Sequence, residues 1–141
     1  MPKNSHDITL LLIEDDDIDA MTIERSFLKQ KIANPIVRAK DGLEGLAMLQ
    51  DGVVKKPYVV LLDLQMPRMD GVEFLGALRS DEKLSDTVVF VLTTSQSQRD
   101  IVETYKKNIA GYFVKGQAGE QFLDIVGVLD NYWKIVHLPE G

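Results

Sequence analysis

Short apolar runs alternate along this chain with longer stretches in which apolar residues return every three or four positions. The runs are Ile8–Ile13 (ITLLLI), Ile36–Ala39 (IVRA), Tyr58–Leu62 (YVVLL), Val88–Leu92 (VVFVL) and Gly111–Val114 (GYFV). They are rich in β-branched and aromatic residues, and several are apolar throughout. Continuous rather than alternating apolarity marks strands buried on both faces, as in a parallel sheet. The stretches between them read as helices. The first runs from about Asp17 to Lys31, with Ala20, Ile23 and Phe27 on one face. The second opens near Asp41 and carries Leu43, Leu46 and Ala47. The third carries Val72, Leu75 and Leu78, and the fourth Ile101, Val102 and Tyr105. The fifth runs from about Ala118 to Val136. Five strands, each followed by a helix, predict a doubly wound α/β fold: a parallel sheet with helices on both faces. Right-handed crossovers leave few topologies open.

The chain has 141 residues, enough for one domain. Residues 1–7 read as a short polar arm, 8–136 as the domain and 137–141 as a tail. There is no cysteine, which suits a reducing compartment. The net charge of -6 argues against a nucleic-acid surface, which normally shows as a basic stripe. No apolar run approaches the ~20 residues of a membrane helix, and the first ten residues lack the apolar core of a signal peptide. The expectation is a soluble, cytoplasmic protein with no attached output domain, acting through protein contacts.

In doubly wound sheets the ligand site lies beyond the carboxyl ends of the strands. After strand one come Glu14, Asp15, Asp16 and Asp17. After strand three comes Asp63. Thr93, Thr94 and Ser95 follow strand four, and Lys115 follows strand five. Crowded carboxylates repel one another unless a cation joins them. Mg²⁺ suits such a set, because it takes one or two carboxylates, waters and a substrate phosphate. Lys115 could pair with a phosphoryl oxygen, and Thr93 could donate to another. A carboxylate so flanked can attack phosphorus and form an aspartyl phosphate, a reaction that needs mainly positioning and charge neutralisation. Each residue also has a plainer reading. Acids after a strand often cap the next helix, and Asp16 and Asp17 are assigned that role. Taken singly, Asp63 would be a turn residue, Thr93 a cap and Lys115 a solvated amine. The agreement of four strand ends carries the inference.

The block LLDLQMPRMDG, with EDD after strand one, TT after strand four and YFVK at strand five, resembles the receiver domain of response regulators over about residues 8–136. The resemblance implies a flavodoxin-like sheet of order 2-1-3-4-5. It further implies that Asp63 accepts phosphate and that Glu14 and Asp15 hold Mg²⁺, with the backbone carbonyl of Gln65 completing the metal site. By the same resemblance Thr93 moves toward the phosphoryl group, Lys115 pairs with it, and Tyr112 swings inward with the threonine. The implied partners are a sensor histidine kinase and a downstream protein. The ending LDNYWKIVHLP resembles small single-domain regulators that partner bacterial phytochromes. One departure stands out: Gly116 follows the lysine, where the family usually has a proline in a cis bond. A cis bond without proline costs ~3–4 kcal/mol, so a trans Lys115–Gly116 bond is expected.

Three other readings compete. A flavin carrier needs a phosphate-cradling loop after strand one, where this chain has four acids. A phosphohydrolase with an aspartate nucleophile wants a second acid nearby, and Gln65 stands two residues on. A docking module that is never phosphorylated would have no need of the full acceptor set. A homodimer through the fifth helix is also expected. Phe122, Ile125, Leu129, Tyr132 and Val136 could face the sheet, leaving Leu123, Val126 and Trp133 to the side, where either a partner subunit or His137–Pro139 could cover them.

Overall fold

The computed structural model describes residues 7–117 and 119–139. Five parallel strands form one sheet: β1 (Thr9–Ile13), β2 (Ile36–Ala39), β3 (Tyr58–Leu62), β4 (Val88–Thr93) and β5 (Gly111–Val114). Their order is β2-β1-β3-β4-β5, the doubly wound arrangement expected. Leu11 lies beside Val37 on one side and Val60 on the other. Val91 lies beside Leu62 and Tyr112. Every residue of β1 and β3 is buried, which accounts for their unbroken apolar sequences.

Side chains alternate between the two faces of a strand, so each run feeds two cores. Leu10, Leu12, Val59, Leu61, Phe90 and Leu92 pack under α1 (Asp17–Lys29) and α5 (Leu123–Ile135). Leu11, Ile13, Val60, Leu62, Val89 and Val91 pack on the opposite face, with Leu49 of α2 (Gly42–Gln50) and Phe74, Leu75 and Leu78 of α3 (Gly71–Ser80). The helix starts follow local chemistry. Asp16 caps α1 by accepting from the N–H groups of Ile18 and Asp19. Asp70 and Glu73 form a reciprocal capping box on α3. Gly71 lets that helix start hard against the loop after β3, because a Cβ there would lie 2.7 Å from both the Asp63 carbonyl oxygen and Leu64 Cα.

Three expectations need correcting. In α4 (Gln98–Lys106) the inward residue is Thr104. Ile101 is half-buried, while Val102 and Tyr105 are exposed. The Thr104 hydroxyl donates to the carbonyls of Asp100 and Ile101, at 2.8 and 3.0 Å, so its burial leaves no unpaired donor. The fifth helix begins at Leu123, later than expected. A short 3₁₀ turn (Lys115–Gln117) and another (Glu120–Phe122) precede it, and Gln121 and Phe122 take left-handed φ values of 55° and 58°. Ala118 itself lies outside the described residues. Finally, Val126 and Trp133 are covered by their own chain. Trp133 is 3% exposed, with its ring centroid 5.9 Å from that of Phe27 on α1. Leu138 packs against the same core, so part of the tail does fold back.

The Arg79 side chain ties the end of α3 to two other segments. Its guanidinium donates to the carbonyls of Lys107 and Asn108, just past α4, and to those of Ser85 and Thr87, just before β4, at 2.7 to 3.0 Å. Lys56–Pro57 is a cis peptide bond, and Lys115–Gly116 is trans. No helix among the described residues is long and apolar enough to cross a membrane.

Candidate functional site

The carboxyl ends of β1, β3, β4 and β5 bring Glu14, Asp63, Thr93 and Lys115 together, as the strand-end argument predicts. Register alone aligns two of them: Ile13 and Leu62 are Cα partners, so Glu14 and Asp63 leave the sheet side by side. The Asp63 N–H donates to the Ile13 carbonyl, and the Glu14 N–H to that of Ala39. Glu14 and Asp63 are buried, whereas Asp15 is exposed. Each of the three offers a carboxylate oxygen, and these oxygens lie within 4.8 Å of one another. A compact set of hard oxygen donors, open on the Asp15 side, fits a small divalent cation.

Lys115 reaches into this cluster. Its Nζ lies 2.8 Å from Glu14 Oε1, 2.7 Å from Asp19 Oδ2 and 3.5 Å from Asp63 Oδ2. Replacement of the usual proline by Gly116 therefore does not move the amine out of the site. Burial drives Glu14 toward its acid form; the hydrogen bond from Lys115 opposes this, the Asp63 charge adds to it, and the carboxyl is pushed up to about 8. Burial would lower the Lys115 amine, but Asp19, Glu14 and Asp63 together outweigh it and hold the amine above its ordinary value.

The remaining expected residues lie around this centre. The Gln65 N–H donates to Asp63 Oδ1 at 3.3 Å, and its side-chain oxygen accepts from the Thr94 hydroxyl at 2.9 Å. Thr93 is fully buried, and its hydroxyl accepts from the Ser95 N–H at 3.4 Å. Tyr112 is half-buried. Its hydroxyl donates to the Ser95 carbonyl at 2.9 Å, so one residue of the loop after β4 touches both.

Two residues at the site were not anticipated. Arg38, on β2, donates through Nε and Nη2 to the Glu14 carbonyl at 3.0 and 2.8 Å, and through Nη1 to Asp17 Oδ1 at 2.7 Å, clamping the acidic loop. Asp19 is the other. It sits in the first turn of α1, three residues after the N-cap, and makes the shortest contact of Lys115 with a carboxylate. The spacing of Asp16 and Asp19 was a signal, since an acid at that position often bonds back to the cap. Here the Asp16 N–H goes instead to Glu14 Oε2 at 3.2 Å, and the Asp19 carboxylate goes to Lys115.

With a doubly wound sheet and acids, a hydroxyl and a lysine at its carboxyl edge, this chain belongs to the response regulator receiver domain family, whose model matches residues 10–127. Receiver domains act as phosphoacceptor switches rather than as catalytic enzymes. Among curated relatives, the probable methanogenesis regulatory protein FilR2 of Methanothrix harundinacea is 34% identical over 127 residues, covering 88% of this chain and 82% of the relative. Among solved structures, the Mn²⁺-bound response regulator Rcp1, known from Synechocystis sp., superposes with a TM-score of 0.82 at 28% identity, covering 93% of this chain and 98% of the other. The phosphorylated cyanobacterial phytochrome response regulator RcpA gives 0.83 at 29% identity, over 93% and 97%.

Proposed function

We propose that this chain is the phosphoryl-accepting response regulator of a histidine-to-aspartate relay, with Asp63 as acceptor. The observation that carries the reading is the Asp63 carboxylate, placed between the Glu14–Asp15 pair and the Lys115 amine. A carboxylate oxygen of Asp63 attacks the phosphorus of a kinase phosphohistidine. The new P–O bond forms as the P–N bond breaks, and its electron pair stays on the imidazole nitrogen. Mg²⁺ held by Glu14, Asp15, Asp63 and the Gln65 backbone carbonyl would neutralise phosphoryl oxygens. The Lys115 ammonium takes a further phosphoryl oxygen, and the Thr93 hydroxyl donates to the third. Moving Thr93 frees the loop after β4, and Tyr112, bonded to Ser95 of that loop, follows.

The reading extends to partners. Likeness to regulators named for phytochromes supports a phytochrome-type sensor kinase upstream, with output through phosphorylation-dependent contacts with a downstream protein in the cytoplasm. The receiver domain spans residues 8–136, and Leu138 and Pro139 lie against it. A homodimer through the fifth helix and tail is proposed on the exposed Val128, Ile135 and Val136, in place of the buried Trp133. The test of the central reading is labelled phosphate uptake from a small phosphodonor. Wild type should take up label with Mg²⁺ present and lose it in excess chelator. Asp63→Asn keeps the shape and removes the nucleophile, so undiminished labelling of that variant would refute the assignment.

A further inference from the structure

We propose that Asp19 is a positioning residue that holds the Lys115 amine in a resting station, so that phosphorylation of Asp63 must draw the lysine away from it. This deepens the reading of Asp63 as phosphoacceptor and rests on it. The distances carry the argument. Lys115 Nζ is 2.7 Å from Asp19 Oδ2 and 2.8 Å from Glu14 Oε1, yet 3.5 Å from Asp63 Oδ2. The charged hydrogen bonds are thus made to the two acids that do not accept phosphate, and the acceptor receives the long, weak one. Among the described residues, three acids contact the amine, and Asp19 is the one of them outside the cation-binding set of Glu14, Asp15 and Asp63. A bound cation would draw Glu14 into coordination. Asp19 would then remain as the carboxylate competing with the phosphoryl group for a single ammonium.

The competition has a definite sign. Asp19 rides on α1, and its carboxylate has only partial exposure to water. When Lys115 moves to a phosphoryl oxygen, Asp19 loses its cation and is left near a dianion, which disfavours the phosphorylated state. The helix holds Asp19 in place independently, because the Asp19 N–H is bonded to the Asp16 cap at 3.0 Å. Gly116 has open space about its Cα, so the segment after the lysine does not obstruct this shift.

The test uses the full chain with Mg²⁺ and beryllofluoride, a phosphoryl mimic that bonds to the acceptor carboxylate. Asp19→Asn keeps the shape and removes the charge. It should lower the half-saturating beryllofluoride concentration by about tenfold, the worth of one charged hydrogen bond, and Asp19→Glu should return it toward wild type. In metal-free protein the ¹⁵N resonance of Lys115 Nζ should shift in Asp19→Asn and return toward wild type in Asp19→Glu, a rescue that general loosening of α1 would not give. Asp19→Ser serves as a second charge-removing variant should the asparagine form fold poorly. Half-saturation within twofold of wild type in a folded charge-removing variant, or weaker binding, overturns the proposal. The parent reading fails by a different result: beryllofluoride binding equally well to Asp63→Asn.

Discussion

Glu14 leaves the first strand into a place that favours its acid form. Burial lifts it from 4.5 to about 8 in the metal-free protein. Between those values the folded chain holds a proton that the unfolded chain has released, so this group lowers stability progressively as pH rises from 4.5 to about 8. A cation that takes Glu14 as ligand must displace that proton. Mg²⁺ binding at pH 7 should therefore release protons, and the apparent affinity should tighten with pH up to about 8. Titration calorimetry in buffers of different ionisation enthalpy reads both effects, and metal uptake without proton release would contradict this state of Glu14. Lys115→Ala should still take up Mg²⁺ while phosphorylation no longer changes partner affinity; a normal shift in partner binding would remove Lys115 from the switch. Most of this centre was legible in the sequence, because short apolar strands reveal their own ends and the ends reveal the acids. For Asp19 the sequence carries only its spacing from the Asp16 cap, which does not point to Lys115. An acid in the first turn of a helix is ordinary, since it complements the helix dipole, and only the packing of the segment after β5, at Glu120–Phe122, against α1 brings it to a lysine 96 residues away.

Single elements carry their own consequences. The fifth helix was expected to leave Trp133 beside the sheet, because a helix on a flat surface needs an apolar stripe only somewhat over ~100° wide. It lies instead in the angle between the sheet and α1, and Ile125, Val126, Leu129 and Trp133 are all buried. Trp133→Ala should then cost ~3–5 kcal/mol of stability, as a large cavity does, measured by denaturant unfolding. It should leave self-association at low denaturant unchanged, and loss of a dimer without loss of stability would restore Trp133 to an interface. At the start of α2, Asp41 accepts from the Glu44 N–H and is paired with Arg68 at 2.5 Å. Burial alone would raise this carboxyl, but the Glu44 N–H and Arg68 together hold it below its ordinary value. The stability it contributes is present above the unfolded carboxylate range and is lost as pH falls through the lowered folded value. Asp41→Ala should cost about 1–2 kcal/mol at neutral pH as a lost cap, and the deficit should shrink in acid; thermal melts at several pH values read both. The fourth helix shows why periodicity misleads in a short element. With nine residues, two or three apolar positions do not fix a face, and a threonine whose hydroxyl bonds back to the helix is as good a core residue.

At the level of the whole molecule, parallel strands and flanking helices followed from the apolar pattern, whereas the strand order entered only through resemblance. Pattern records burial, not neighbours, so β1 and β3 read alike although either could have been central. Oligomeric state was still less legible, since exposed Val128 and Ile135 are separated in sequence by the residues that build the core. A dimer should scatter light as twice 15.8 kDa, and Ile135→Lys should return it to the monomer mass. A monomer at every concentration, with and without phosphorylation, would end the dimer proposal. The four carbonyls gathered by Arg79 give the molecule a fulcrum. They anchor the distal end of α4, while its near end, at Ser97, adjoins the loop shared by Thr93 and Tyr112. A helix fixed at one end and pushed at the other swings rather than slides, so displacement grows along its length from Lys107 back to Ser97. Phosphorylation should accordingly speed amide hydrogen exchange around residues 95–99 while leaving 105–109 protected. Arg79→Met should abolish that gradient, converting a lever into a loose rod.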